Sequence, residues 1–131
     1  RYWVEMKFSI IFFFVFFFLS CSYEKTNNKE SIDLSFLNKQ TPNIDNGKKI
    51  FEQSCTACHL YGTANAIILN DKKSWEILLT EKKFQDIYLN VLNGYIGKNG
   101  PMPKKGACIQ CSNIDLFDAI NYILAFNNLS L

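Results

Sequence analysis

The stretch CTACHLYG, Cys55 to Gly62, sets two cysteines three positions apart and follows them at once with His59, the one histidine of the chain. Two sulfur nucleophiles and an imidazole within about one helical turn are suited to hold something: a metal ion, a redox couple or a covalently attached group. A second Cys-x-x-Cys pair stands at Cys108 and Cys111, and a fifth cysteine, Cys21, stands alone.

Three chemistries compete for this pattern. A four-thiolate zinc site would use Cys55, Cys58, Cys108 and Cys111, but the pairs lie much further apart than the roughly 15–20 residues usual for such ribbons. A thioredoxin-like redox pair needs a strand–helix–strand context that the sequence does not offer. Cys-x-x-Cys-His is the attachment signal of c-type haem. The thiols of Cys55 and Cys58 add to the two vinyl groups, and His59 projects under the iron as proximal ligand. The predicted cofactor is therefore one covalent haem c with its iron. For the opposite axial position a thioether or imidazole is usual. With no second histidine, the choice falls on Met102, the only methionine besides Met6. It sits in KNGPMPKKG between Pro101 and Pro103, whose fixed φ stiffens a loop that must hold a weak bond. Two other readings stay open: Met102 as a gap-filling core residue, and a five-coordinate haem that binds gas.

The elements that must position these residues read as helices. PNIDNGKKIFEQSCTACH offers Asp45 as a cap and apolar residues at helical spacing up to Cys58. DKKSWEILL predicts a short helix carrying Trp75, Ile77, Leu78 and Leu79, and FQDIYLNVLNG another that stops at Gly94. SNIDLFDAINYILAF begins with Ser112 and Asp115 in capping-box positions. Residues 93–108 are too rich in Gly and Pro for regular structure to be expected. The fold class is all-α, about four short helices with a thin aliphatic core, which a haem would fill.

The N-terminal part is of a different kind. FSIIFFFVFFFL, Phe8 to Leu19, is shorter than the roughly 20 residues that cross a bilayer. After Met6-Lys7 it reads as a signal peptide over residues 1–20, with Met6 as the start; a retained anchor helix is the other reading. FLSC at its end resembles the bacterial lipoprotein signal, which implies a lipid on Cys21; a plain cleaved peptide is the alternative. Residues 21–41 read as a polar tether that cannot bury enough surface to order itself, and residues 42–131 as the globular domain. From Cys21 onward lie 12 of the 14 basic and 11 of the 12 acidic residues. That near-neutral balance argues against nucleic acid as a partner.

NGKKIFEQSCTACH, KKSWEIL, GPMPKKGACIQCS and LFDAINYIL together resemble class I c-type cytochromes, specifically the cytochrome c5 family, over roughly Asn43 to Asn127. The resemblance implies a cytochrome c fold and a Cys108–Cys111 disulfide that clamps the Met102 loop to the last helix. It implies that the first and last helices cross with Gly47 and Phe51 against Tyr122. Trp75 matches the family tryptophan; its indole N–H would reach a haem propionate, or the ring would serve as ordinary core. One departure stands out. The family proline whose carbonyl receives the histidine Nδ1–H is missing from GTANAIILND, where Ile67 is the nearest equivalent. The function so implied is a periplasmic electron carrier and not an enzyme, membrane-tethered through Cys21. Its redox partners would be proteins such as an oxidase, a reductase or a peroxidase. Lys98, Lys104 and Lys105 would steer an acidic partner or simply be a solvated face. The rival is a haem-based gas or redox sensor with a labile methionine.

Overall fold

The computed structural model describes residues 33–130. The expected signal peptide, Cys21 and most of the expected tether lie outside the described residues.

The chain extends through Thr41-Pro42 and turns helical at α1 (Ile44–Ile50). Its cap is Asn43, whose side chain accepts from the Asn46 N–H at 3.0 Å. Asp45, the cap expected from sequence, falls one residue inside the helix, because the last extended residue is Asn43 (φ −91°, ψ 100°). There its charge still complements the helix dipole. α1 continues through a π turn (Phe51–Cys55) into α2 (Thr56–His59), so one helical run with a locally wider turn ends on the histidine. After a 3₁₀ turn at Thr63–Asn65 come α3 (Lys72–Glu81) and α4 (Phe84–Asn93). α3 is capped by Asp71, which accepts from the Ser74 N–H and hydroxyl. α4 stops at Gly94, whose φ of 81° is open to a glycine at little cost. α5 (Asn113–Phe126) starts on the expected capping box, Ser112 and Asp115 bonding each other's backbone N–H.

The all-α expectation of about four short helices holds, and one local expectation within it is corrected. Within the stretch expected to lack regular structure, β1 (Tyr95–Gly97) and β2 (Gly100–Met102) form an antiparallel hairpin. Tyr95 faces Met102, Ile96 faces Pro101 and Gly97 faces Gly100 across the ladder. A two-residue turn, Lys98-Asn99, closes it. Pro101 is tolerated because a two-stranded ladder has only edge strands, whose outward N–H groups need no partner.

α1 and α5 cross at close range. A side chain on Gly47 would collide with the Asp118 carbonyl oxygen, and Tyr122 Cβ would lie only 2.9 Å from it. Phe51 and Tyr122 stack alongside at 5.5 Å between centroids, as the sequence comparison implied. The crossing is also polar. Asp118 is buried, and its carboxylate accepts from the Asn43 N–H at 2.9 Å and the Asn46 amide at 2.8 Å. Asn46 donates as well to Asp115 at 3.0 Å.

The segment expected as unordered tether is ordered at its C-terminal end. Ser35–Asn38 forms a 3₁₀ turn, and Leu34, Phe36 and Leu37 pack on the main core. Phe36 meets Tyr88 and Phe117 edge-on at 5.6 and 5.9 Å. Partial burial of these three apolar side chains together offsets the backbone entropy of ordering so short a turn.

Candidate functional site

The helical run from α1 to α2 delivers Cys55, Cys58 and His59, all half-buried, to one side of an apolar cavity of about 480 Å³. The π turn ends on Cys55; the Thr56 N–H reaches back to the Phe51 carbonyl, five residues earlier. β2 brings Met102 into the same lining, and α5 adds Leu116, Ile120 and Ile123. Cys55, Cys58, His59, Met102 and Trp75 thus meet at one cavity, although Trp75 and Met102 lie far from the cysteines in sequence.

His59 is oriented from behind. Its Nδ1–H donates to the Ile67 carbonyl at 2.7 Å, which leaves Nε2 as the free lone pair. Ile67 therefore does the work of the missing proline. Stiffness comes from neighbours that the sequence reading did not anticipate. Three successive carbonyls are each held by a side chain: Ile67 by His59, Ile68 by the Trp75 indole N–H at 2.9 Å, and Leu69 by the Asn127 amide at 2.7 Å. Trp75 is buried, with its ring 5.8 Å from the His59 ring. Its N–H is given to the Ile68 carbonyl, the arrangement of the ordinary-core alternative. Asn127 escaped notice because nothing in its local sequence ties it to a segment 58 residues away.

Met102 is half-buried and leads through Pro103 into a turn (Lys104–Ala107) with three left-handed residues, Lys105, Gly106 and Ala107, at φ 56°, 60° and 66°. Two ties hold this turn. The Lys105 ammonium donates to the Cys111 carbonyl at 2.7 Å, and Cys108 is disulfide-bonded to Cys111, with Cα atoms 5.4 Å apart. Both cysteines are buried in the main core. The four-thiolate zinc reading therefore fails. Among the described residues no cluster of three or more His, Cys, Asp or Glu is placed to hold a metal ion. Burial, with Cys58 beside it, pushes the Cys55 thiol up to about 11, so it is protonated at neutral pH. Of the three lysines near the methionine, Lys98 pairs with Glu81 at 3.0 Å and Lys105 is tied to Cys111, which leaves Lys104 facing solvent without such a tie.

Residues 42–123 match the family model described as cytochrome C oxidase, cbb3-type, subunit III. The chain belongs to this family of class I c-type cytochromes. The cytochrome is 30% identical over 78 residues to cytochrome c-555 of Chlorobaculum thiosulfatiphilum, covering 60% of this chain and 90% of that one. It is 34% identical over 82 residues to cytochrome c6 of Pyropia tenera, covering 63% and 91%. Among solved structures it matches a chain from an electron-transfer complex of nitrite reductase with cytochrome c. That match has a TM-score of 0.56 and 28% identity, over 66% of this chain and 99% of that chain. One covalent haem c with iron is the cofactor. The cavity fits it: apolar walls, two thiols, an imidazole with one nitrogen free and a thioether sulfur together form the donor set such a group needs.

Proposed function

We propose that this cytochrome is a one-electron carrier with haem held by Cys55 and Cys58 and its iron between His59 and Met102. The observation that carries the reading is that His59 and Met102 line the same apolar cavity as the two thiols. When bound, the haem iron takes up and returns a single electron. The chain's residues hold that centre still. The Ile67 carbonyl fixes the His59 ring, and the prolines, the Lys105–Cys111 bond and the disulfide fix the methionine loop. Ligands that stay put in both oxidation states keep reorganisation small, and burial with Met ligation favours a relatively positive potential.

Within the family we place the protein with cytochrome c5, on the disulfide that directly follows the methionine loop. We place it in the periplasm, tethered by lipid on Cys21, on the apolar segment and FLSC of the sequence. Its partners are redox proteins, a reading supported by the solved pairing of a cytochrome c with nitrite reductase. Oxidised and reduced optical spectra of the protein made with haem-attachment machinery test the assignment. A sharp reduced α-band and a weak near-infrared Met–iron band that disappears in Met102→Ala are expected. Rapid binding of carbon monoxide by the ferrous wild type would instead point to a labile methionine and overturn the carrier reading.

A further inference from the structure

The cavity is mostly apolar, and haem brings two propionate carboxylates that need donors or cations. Four charged side chains line it: Glu81, Lys82, Lys98 and Lys105. Three are already engaged. The Lys98 ammonium meets both carboxylate oxygens of Glu81 at 3.0 Å, and Lys105 donates to the Cys111 carbonyl. Lys105 rests on a neutral carbonyl and so keeps its charge too, but it is tied into the methionine turn; Lys82 is the cation of the lining held by neither a carboxylate nor a backbone carbonyl. Its ammonium lies 3.4 Å from the Tyr95 hydroxyl and 4.6 Å from the centroid of that ring. A cation resting on a neutral phenol retains its full charge and still has donors to give.

The placing of that pair is built into the hairpin. Tyr95 stands directly opposite Met102 in the ladder, so both side chains lie on one face, and Met102 lines the cavity. The Tyr95 ring folds back over Gly97, where any side chain would run into it; Gly97 is the empty seat that lets the phenol lie flat. Lys82 comes from the link between α3 and α4, and the Glu81–Lys98 pair flanks it. The Trp75 indole N–H is given to the Ile68 carbonyl.

We propose that Lys82 and the Tyr95 hydroxyl form the seat for a haem propionate, the role the sequence had suggested for Trp75. The inference rests on the cavity being the haem site. The seat positions the ring by its carboxylate edge, while the thiols pin it by its vinyl edge. It also places a positive charge beside the carboxylate, which lowers the proton affinity of that group.

The test compares holo wild type with Lys82→Met, Lys82→Arg, Tyr95→Phe and, as a solvent-face control, Lys104→Met. Two quantities are read: midpoint potential between pH 5 and 9, and the propionate bending bands in resonance Raman spectra. Lys82→Met is expected to raise the carboxylate's proton affinity about tenfold, moving the inflection in potential up by about one pH unit. It is also expected to shift the propionate bands. Tyr95→Phe shifts the bands with a smaller change in inflection, Lys82→Arg restores the wild-type values, and Lys104→Met moves neither. Unmoved bands and inflection in Lys82→Met, or equal shifts in Lys104→Met, would overturn the proposal. Absence of haem absorbance in the wild type would refute the haem site itself, and that failure is visible before any variant is compared.

Discussion

Gly47→Ala isolates the contact on which the helix crossing depends. In an open helix interior the change would stabilise by about 1 kcal/mol, the difference in helix propensity between alanine and glycine. Here the new methyl would meet the Asp118 carbonyl oxygen, a backbone atom that cannot swing aside, and would lie 2.9 Å from Tyr122 Cβ. α1 and α5 must therefore move apart. Overpacking of this kind costs about 1–3 kcal/mol. The same movement lengthens the two bonds from Asn43 and Asn46 to the buried Asp118 carboxylate, each worth about 1.5–3 kcal/mol when made to a charged group. If half of one such bond is lost, the net after the propensity gain is a destabilisation of about 1–3 kcal/mol. For a domain of this size that lowers Tm by roughly 4–8 °C per kcal/mol. Thermal melts of the haem-loaded proteins, followed by far-ultraviolet circular dichroism, measure it. A Tm equal to or above wild type would refute the close-crossing argument, because only the propensity gain would then remain.

Other consequences follow from the same geometry. Asn127→Leu strips the Leu69 carbonyl of its donor and should cost about 1–3 kcal/mol, read by denaturant titration; an unchanged midpoint would show that the carbonyl brace is dispensable. Replacing Cys108 and Cys111 together by alanine opens a loop of only a few residues and should cost about 2 kcal/mol. It should also release the left-handed turn, so that the Met–iron band fades on heating before the helices melt; simultaneous loss of both signals would count against a local clamp. The Asn46 amide, then the Ser112 backbone and hydroxyl donors, hold the Asp115 carboxyl below its usual 3.8. Its folded value lies below its unfolded one, so its stabilisation is complete above about pH 4 and is lost as pH falls through the folded value. The Tm gap between wild type and Asp115→Asn should thus be constant from pH 6 to 8 and close in stronger acid. A gap that stays open at pH 2 would show that the carboxylate charge is not what the site uses.

What the sequence made legible was local chemistry. Cys55, Cys58 and His59 announce themselves by spacing, Met102 by being the methionine left over, and Ser112 with Asp115 by their interval before an apolar run. What stayed hidden depends on segments that meet only in the folded chain. Trp75 was recognisable as a residue near the site, but that its N–H faces the Ile68 carbonyl is decided by the path of residues 66–69. Asn127 looks like an ordinary helix-end residue until that path passes it. The hairpin was masked by its own Gly and Pro, which argue against strands in general but suit a two-residue turn with open edges. Phe36 lay in a stretch whose average polarity hid three residues that the Tyr88–Phe117 cluster could use.

The π turn has a bearing on how this scaffold can change. A regular helix advances about 100° per residue, so one extra residue accommodated in a wide turn rotates everything after it by about that angle. Upstream of Phe51–Cys55 the helix answers to α5, through Gly47; downstream it answers to the cavity, through Cys58 and His59. The wide turn works as a phase shifter between two gears on one shaft. Each half can be cut to its own partner, and deleting a single residue there would leave both sets of teeth intact but bring only one of them into mesh.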